Sequence, residues 1–547
     1  MSGVTAVLLL VVLATAVATG ARHWSVPAPS LLVVAGVLAG LLPFVPRVVV
    51  PPAVISVAVL PPLLYASAEE ISWRELKAVW RPVTVLALGL VLASAFSIGA
   101  LAGQLTGLPP AMAFVLGAVL ASTDPVAVTA LGRRLALPTR VQTLVQSESL
   151  FNDATSLVLF KVAISLAVTA GSVSVGAAAG EFLLLAGGGA LVGGASAALV
   201  AAIRSRTEDP VLETVIALVT PYAAYVLAED LHTSGVTAVV VAGVALGAQG
   251  HRLTTARIRL QVRAVYQTVV FLLESVVFAI IGLELPSLIR DLTPQESGWP
   301  WQALLIALTL ILIRLLWIFP TAWITQRQRP RDGGSGLNWR VPAVLTWAGT
   351  RGVMPLAAAL SIPLLADDGS PLPYRELVLV LTTSVVAFTL VVQGFTLAPV
   401  VRASGIALEP EATVREEAQA AETVLRVALE RLESLVDTES VAEVVADRMR
   451  RDLLARLEYT RIRLADAQLG ADGTAEADTG EGSGEGEGQL SGQDVATVLG
   501  YRRLRRDLIA VESAELRRLY DEQRISDATR SSLQHALDLE EAGLGEL

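Results

Sequence analysis

The chain has 547 residues, 53% of them hydrophobic, and a mean hydropathy of +0.60, which excludes an ordinary water-soluble protein and marks a polytopic membrane protein. Cysteine is absent and the four histidines, His23, His232, His251 and His535, lack ligand spacing to one another, so disulfides, thiolate metal sites and histidine metal sites drop out. The net charge of −10 is uneven: residues 1–401 carry 23 Lys+Arg against 20 Asp+Glu, residues 402–547 carry 18 against 31, and neither balance suits nucleic-acid binding.

Thirteen apolar segments follow one another, at about 4–20, 30–45, 51–68, 80–103, 110–131, 141–169, 176–203, 210–228, 234–249, 265–289, 300–325, 341–365 and 376–401. The first has no Lys or Arg ahead of its apolar core, and Arg22 comes after it, which predicts a retained first span with the N-terminus outside. With that orientation, 17 basic residues fall in cytoplasmic loops: Arg22; Arg74, Lys77, Arg81; Arg133, Arg134, Arg140; Arg204, Arg206; Arg252, Arg257, Arg259, Arg263; and Arg327, Arg329, Arg331, Arg340. The outer loops hold Arg47, Arg290 and Arg375, while Lys161, Arg314 and Arg351 lie inside spans. A wrong span count would scramble this alternation. If segments 1–6 and 8–13 are repeats, an offset of seven reverses direction and gives an inverted-topology repeat. The paired interruptions such repeats carry fall in the fifth segment, at Ser122-Thr123-Asp124-Pro125, and in the twelfth, at Trp347-Ala348-Gly349-Thr350-Arg351-Gly352 before Pro355.

Beyond the transmembrane region, 1–401, the chemistry changes. Residues 402–469 are charged and helix-favouring, with Leu425, Leu429, Leu432 and Leu435 at helical spacing. Residues 470–494 are an acidic Gly-rich run that reads as a disordered linker, and 495–547 return to a helical pattern. The tail is expected to be a cytoplasmic helical domain, dispensable for folding of the membrane part.

The chemistry concentrates in the sixth segment, at Glu148-Ser149-Leu150-Phe151-Asn152-Asp153. Residues four apart share a helix face, so Glu148 stacks with Asn152 and Ser149 with Asp153. A carboxylate at the bilayer centre costs roughly 3 kcal/mol, so Asp153 marks function by default. Pro125 opens the fifth helix near Ala121, placing Thr123 and Asp124 beside freed carbonyls. Asp153, Asp124, Thr123 and Ser149 together offer the oxygen ligands a small hard cation takes. Arg351 is the expected partner of Glu148, and Arg314 either balances the site or pairs with Glu274. A proton or a cation can neutralise Asp153, but not both at once, which yields exchange.

At these residues the sequence resembles the sodium/proton exchanger family, in its electroneutral monovalent cation:proton antiporter branch. The shared features are Thr123-Asp124-Pro125, the Glu148-Ser149-x-x-Asn152-Asp153 helix and the Trp347-x-Gly349-x-Arg351-Gly352 stretch, and they cover about residues 5–401. The resemblance implies an all-α polytopic fold of about 13 transmembrane helices, with two inverted six-helix repeats and crossed, unwound fifth and twelfth helices. It implies a homodimer in the cell membrane, each protomer having a dimerisation domain and a mobile core. It makes Asp153 and Asp124 the ion-site carboxylates and Thr123 and Ser149 oxygen ligands. Asn152 supports the site, Glu148 pairs with Arg351, and no cofactor is needed. The Asn152-Asp153 order resembles members exchanging one cation for one proton. The sequence departs from many relatives at Ala66, where they carry an acidic residue.

Other readings are weighed against this one. The aspartates could be structural hydrogen-bonded groups. Lys161 would snorkel toward the outer interface, and Glu181, Glu213 and Glu284 would be solvated near span ends. Potassium/proton exchange uses the same ligands. A cation channel needs a polar face running end to end, which no span shows. An intramembrane hydrolase using Ser149 lacks a histidine base or a Gly-x-Ser-x-Gly turn, and no Gly-x-x-x-x-Gly-Lys loop supports ATP-driven pumping, so an enzyme is not expected.

Overall fold

The structure is a computed structural model. It describes residues 12, 15–17, 19–20, 28–42, 51–71, 73–124, 139–168, 175–207, 209–249, 254–292, 296–327, 339–366, 369–405, 410–438, 441–469 and 492–544. Most of segment 4–20, Pro125, the Gly-rich run 480–488, and Arg22, Arg47, Arg133, Arg134, Arg252, Arg329 and Arg331 lie outside the described residues. Among the described residues the regular structure is helical, and the one extended pairing is a bridge between Leu365 and Pro371. Two compact units form: Met1–Thr254 with Gln261–Ile406, and Thr255–Leu260 with Ala407–Leu547.

The first unit holds α1 (Ala28–Gly40), α2 (Pro52–Glu69), α3 (73–106), α4 (Pro110–Ala121), α5 (Thr139–Val168), α6 (Val175–Arg204) and α7 (Pro210–Asp230). It continues with α8 (Gly235–Gly247), α9 (Ala256–Asp291, of which the residues from Gln261 on belong to this unit), α10 (Trp299–Arg327), α11 (Arg340–Trp347), α12 (Val353–Leu360) and α13 (Arg375–Ser404). Eight of these are long and apolar enough to cross a membrane, and α4 and α8 are shorter apolar helices. Local signals set their ends. Pro110 starts α4 at the position where a missing N–H costs nothing, and Asp209 caps α7 by accepting from Val211 N at 2.7 Å.

The helices pack chiefly in two sets. One comprises α3, α4, α5, α10, α11, α12 and α13; the other comprises α1, α2, α6, α7, α8 and α9. In the first set, Leu86, Leu90, Val145, Ile318, Val344 and Leu397 form one buried cluster behind the helix interruptions. In a membrane, close packing replaces the hydrophobic drive between helices, so small residues mark the tight crossings. At Gly117 of α4 a Cβ would overlap the Ala95 carbonyl of α3.

Two expectations about charges need correction. Glu213 is not solvated: it is buried and bonded to Arg204 Nε at 2.7 Å, and Arg204 is itself buried. A charge on α6 and a charge on α7 neutralise each other inside the packing, which the loop assignment of Arg204 did not anticipate. Lys161 does not merely snorkel. It is bonded to Glu229, whose carboxylate also accepts the Gly235 N–H at 2.9 Å.

The second unit contains α14 (Pro410–Asp437), α15 (Glu443–Leu469), α16 (Gly492–Asp521) and α17 (Asp527–Gly543). Leu425 and Leu432 of α14 meet Met449 and Leu453 of α15 and Leu504 and Leu508 of α16 in a buried core, with Leu429 and Leu435 at its margin. Arg505, 2% exposed, is held by Glu512 at 2.7 Å and Glu540 at 2.7 Å, and Arg456 binds the same Glu540. Burial opposes the Glu540 charge, but the hydrogen bonds from Arg505 and Arg456 overcome it and hold the carboxyl down at about 2.

Candidate functional site

A helix leaves its last four carbonyls without partners, and in a membrane each orphan costs several kcal/mol unless something in the protein answers it. Both interrupted helices face this demand. The helix α4 ends at Ala121 and the chain turns extended at Ser122. On the other side, α11 ends at Trp347 and α12 begins only at Val353.

The orphan carbonyls of α4 are met from two directions. Ser156 of α5 donates to Ala118 O at 2.8 Å. Arg351, from the gap between α11 and α12, donates Nη1 to Ala121 O at 2.8 Å and also to Ser122 O. The cation thus sits at a helix C-terminus, where the backbone dipole favours it. Arg314 of α10 does the same for α11, donating Nε to Leu345 O at 2.9 Å. The two gaps also bond directly to each other. Asp124 N donates to Thr350 O at 2.8 Å, and Thr350 Oγ1 donates to Asp124 O at 2.9 Å. Gly352 lies so close to this junction that a Cβ there would overlap the Asp124 carboxylate. The interruptions therefore meet and brace each other.

The helix α5 runs past this junction. Asp153 and Asn152 are buried, at 7% and 1% exposure, and Glu148 and Ser149 are buried beside them. Asp153 accepts a hydrogen bond from Ser122 Oγ. Ser149 Oγ donates to Thr123 O, and Asn152 Nδ2 reaches Thr123 Oγ1 at 3.2 Å and Glu148 Oε1 at 3.3 Å. Asp124 and Arg351 act electrostatically on Asp153. The sequence-derived candidates Asp153, Asp124, Thr123, Ser149, Asn152 and Arg351 are thus gathered at one place.

The ion pair differs from the expected one. Glu148 is paired with Arg314, Nη1 to Oε1 at 2.6 Å, and not with Arg351, which the orphan carbonyls of α4 claim. Nor does Arg314 pair with Glu274; that residue is half-buried on α9 and interacts with the Asp124 charge. Two residues carry contacts that spacing did not single out. Ser122 binds Asp153 and Thr350 binds Asp124, and both sit inside the polar runs that break their helices. Their signal was position: a hydroxyl beside a helix break.

The arrangement gathers carboxylates, hydroxyls and carbonyls, the donor set of a hard monovalent cation or a proton. Among the described residues no group of His, Cys, Asp and Glu could hold a transition metal.

A sequence model of the family described as "Sodium/hydrogen exchanger, transmembrane" matches residues 7–403. The chain is 32% identical to an uncharacterised Na(+)/H(+) exchanger of Mycobacterium tuberculosis (strain H37Rv), over 98% of this chain and 96% of that one. It is 33% identical to the sodium, potassium, lithium and rubidium/H(+) antiporter of Bacillus subtilis, over 67% of this chain and 56% of that one. Among solved structures, the sodium proton antiporter MjNhaP1 from Methanocaldococcus jannaschii superposes with a TM-score of 0.61 at 21% identity, covering 75% of this chain and 99% of that one, a likeness of fold. The chain belongs to the sodium/hydrogen exchanger family.

Proposed function

We propose that the chain is a secondary antiporter that exchanges a monovalent cation, sodium first, for a proton, with Asp153 holding one or the other. The observation that carries the reading is the charge arrangement around the two breaks. Both arginines are engaged, Arg351 by carbonyls of α4 and Arg314 by Glu148 and Leu345 O. With both aspartates ionised, Asp153, Asp124, Glu148, Arg314 and Arg351 sum to −1, and among these five groups a single bound cation or proton cancels that charge. One acceptor group that takes either cargo makes transport an exchange, provided the loaded carrier crosses and the empty one does not.

The cation's oxygen ligands are Asp153, Asp124, Thr123 and Ser149. Asn152, Glu148, Arg351 and Arg314 hold these groups in place. Bonds now linking the ligands, such as Ser149 to Thr123 O, reopen when a cation enters. The packing of the helices in two sets suits a core that moves against a scaffold. The reading includes thirteen spans in two inverted repeats, a homodimer in the cell membrane, an outer N-terminus and a cytoplasmic tail.

Potassium is the second cargo to consider, because the Bacillus subtilis relative's name includes potassium. Proteoliposomes with an imposed pH gradient separate these readings. Sodium, potassium and lithium are added in turn, with and without a voltage clamp. Collapse of the gradient by sodium, indifferent to the clamp, is the expected result. Cation flux without proton movement would replace the antiporter by a channel.

A further inference from the structure

We propose that Lys161 and Glu229 form a latch: it holds the helix set that carries Asp153 against the other set, closes the outer end of the membrane unit, and parts in every transport cycle. This rests on the exchange reading above, in which the two sets move against each other.

Three ion pairs of the membrane unit bear on it. Glu148–Arg314 joins α5 to α10, inside the first set, and Arg204–Glu213 joins α6 to α7, inside the second. Both are buried, and breaking either would strand a charge away from water. Lys161–Glu229 differs on both counts. It joins α5 of the first set to α7 of the second, and its side chains are 26% and 35% exposed. Water can take both charges when this pair opens. The pairs that never need to part are buried, and the pair that crosses between the sets is left in reach of water.

The two sides of the latch are built differently. Glu229 is fixed by the second set. The oxygen that meets Lys161 also accepts the Gly235 N–H at 2.9 Å, and a Cβ on Gly235 would overlap that oxygen and the Tyr225 ring. The start of α8 is tied in turn to α6, where Ser234 N donates to Leu185 O at 3.1 Å. Lys161 is the long, flexible partner. It stands eight residues after Asp153, about 12 Å along the helix, toward the end of α5 that the reading above places outside. One turn further, Ser165 Oγ donates to Glu181 Oε1 of α6 at 3.2 Å, a second link between the sets on the same side of Asp153. A partly exposed pair biases a two-state equilibrium by about threefold to fivefold. That is enough to favour one arrangement and weak enough to open at each turnover.

The test uses the chain's lack of cysteine. Lys161→Cys/Glu229→Cys in proteoliposomes carries two thiols, which a short, reducible bifunctional reagent can bridge. Bridging should lower cation-driven proton exchange by about tenfold or more, and reduction should restore it. Each single variant should keep its rate under the same treatment. A bridged protein that exchanges as fast as the unbridged one would overturn the proposal. Where the bridge does not form or the double variant does not insert, Lys161→Gln and Glu229→Gln decide; the second keeps an acceptor for the Gly235 N–H. Each should raise the ratio of inner to outer cation KM by about threefold, because apparent affinity at a face scales with the fraction of carrier open to it. An unchanged ratio, whatever happens to the maximal rate, would make the pair a mere strut and overturn the latch. Cation flux without proton movement in the wild type would sink the exchange reading itself, a separate failure.

Discussion

Glu148 and Asp153 stand on one helix little more than a turn apart, yet the fold treats them differently. Glu148 receives a guanidinium, while Asp153 receives a hydroxyl. A carboxylate locked to an arginine is a strut; one met by a neutral donor can still take a cargo. The sequence shows both acids and both intramembrane arginines, so the existence of a buried pair is legible from it. The choice of partner is not. Arg351 lies within a break, and the carbonyls it satisfies become orphans only once α4 ends at Ala121. Arg314, on an unbroken helix, is left to reach Glu148. Removing one member of such a pair leaves a buried charge alone, at about 3 kcal/mol or more. Glu148→Gln should therefore lower the melting temperature of the purified protein by several degrees. An unchanged melting temperature would mean that the pair bears no strain in holding α5 to α10.

At the scale of the element, the two interruptions carry the site. Both can be read from the sequence, one from the proline after Asp124 and the other from the Gly-rich run around Arg351. Their mutual bonding through Asp124 and Thr350 cannot, because it depends on two segments more than two hundred residues apart meeting at one depth. Gly352 is the residue that permits this approach. Gly352→Ala should push the Asp124 side chain aside and reduce transport at least tenfold, about 1.4 kcal/mol on the barrier, while helix content by circular dichroism stays near wild type. Wild-type transport in that variant would show that Asp124 need not sit where it does. The buried Arg204–Glu213 pair illustrates a limit of topology rules: both residues flank a short loop and read as solvated, but α6 and α7 close over them.

At the scale of the molecule, the chain forms two compact units of different composition. The membrane unit hides polar backbone; the tail hides leucines among charged helices, and the spacing of Leu425, Leu429, Leu432 and Leu435 makes its amphipathic face legible. The charge cluster on Arg505 is not legible, because its members come from three helices of the tail. Since Glu540 titrates at about 2, below the ordinary carboxylate, its contribution to the tail is complete above the ordinary value and is lost as pH falls toward 2. Hydrogen exchange in the whole protein should show α15, α16 and α17 losing protection over that window, and protection unchanged across it would contradict the assignment. A chain ended after Gly405 should insert and exchange ions; a truncated protein that fails to insert would show that the tail is needed for folding.

The central claim is that one buried carboxylate holds either a cation or a proton. Proton release on sodium addition tests it most directly, measured on purified protein in weakly buffered solution for the wild type and Asp153→Asn. The wild type should release about one proton for each sodium ion bound, and Asp153→Asn should release none. Sodium binding without proton release, or equal release from the variant, would contradict the account.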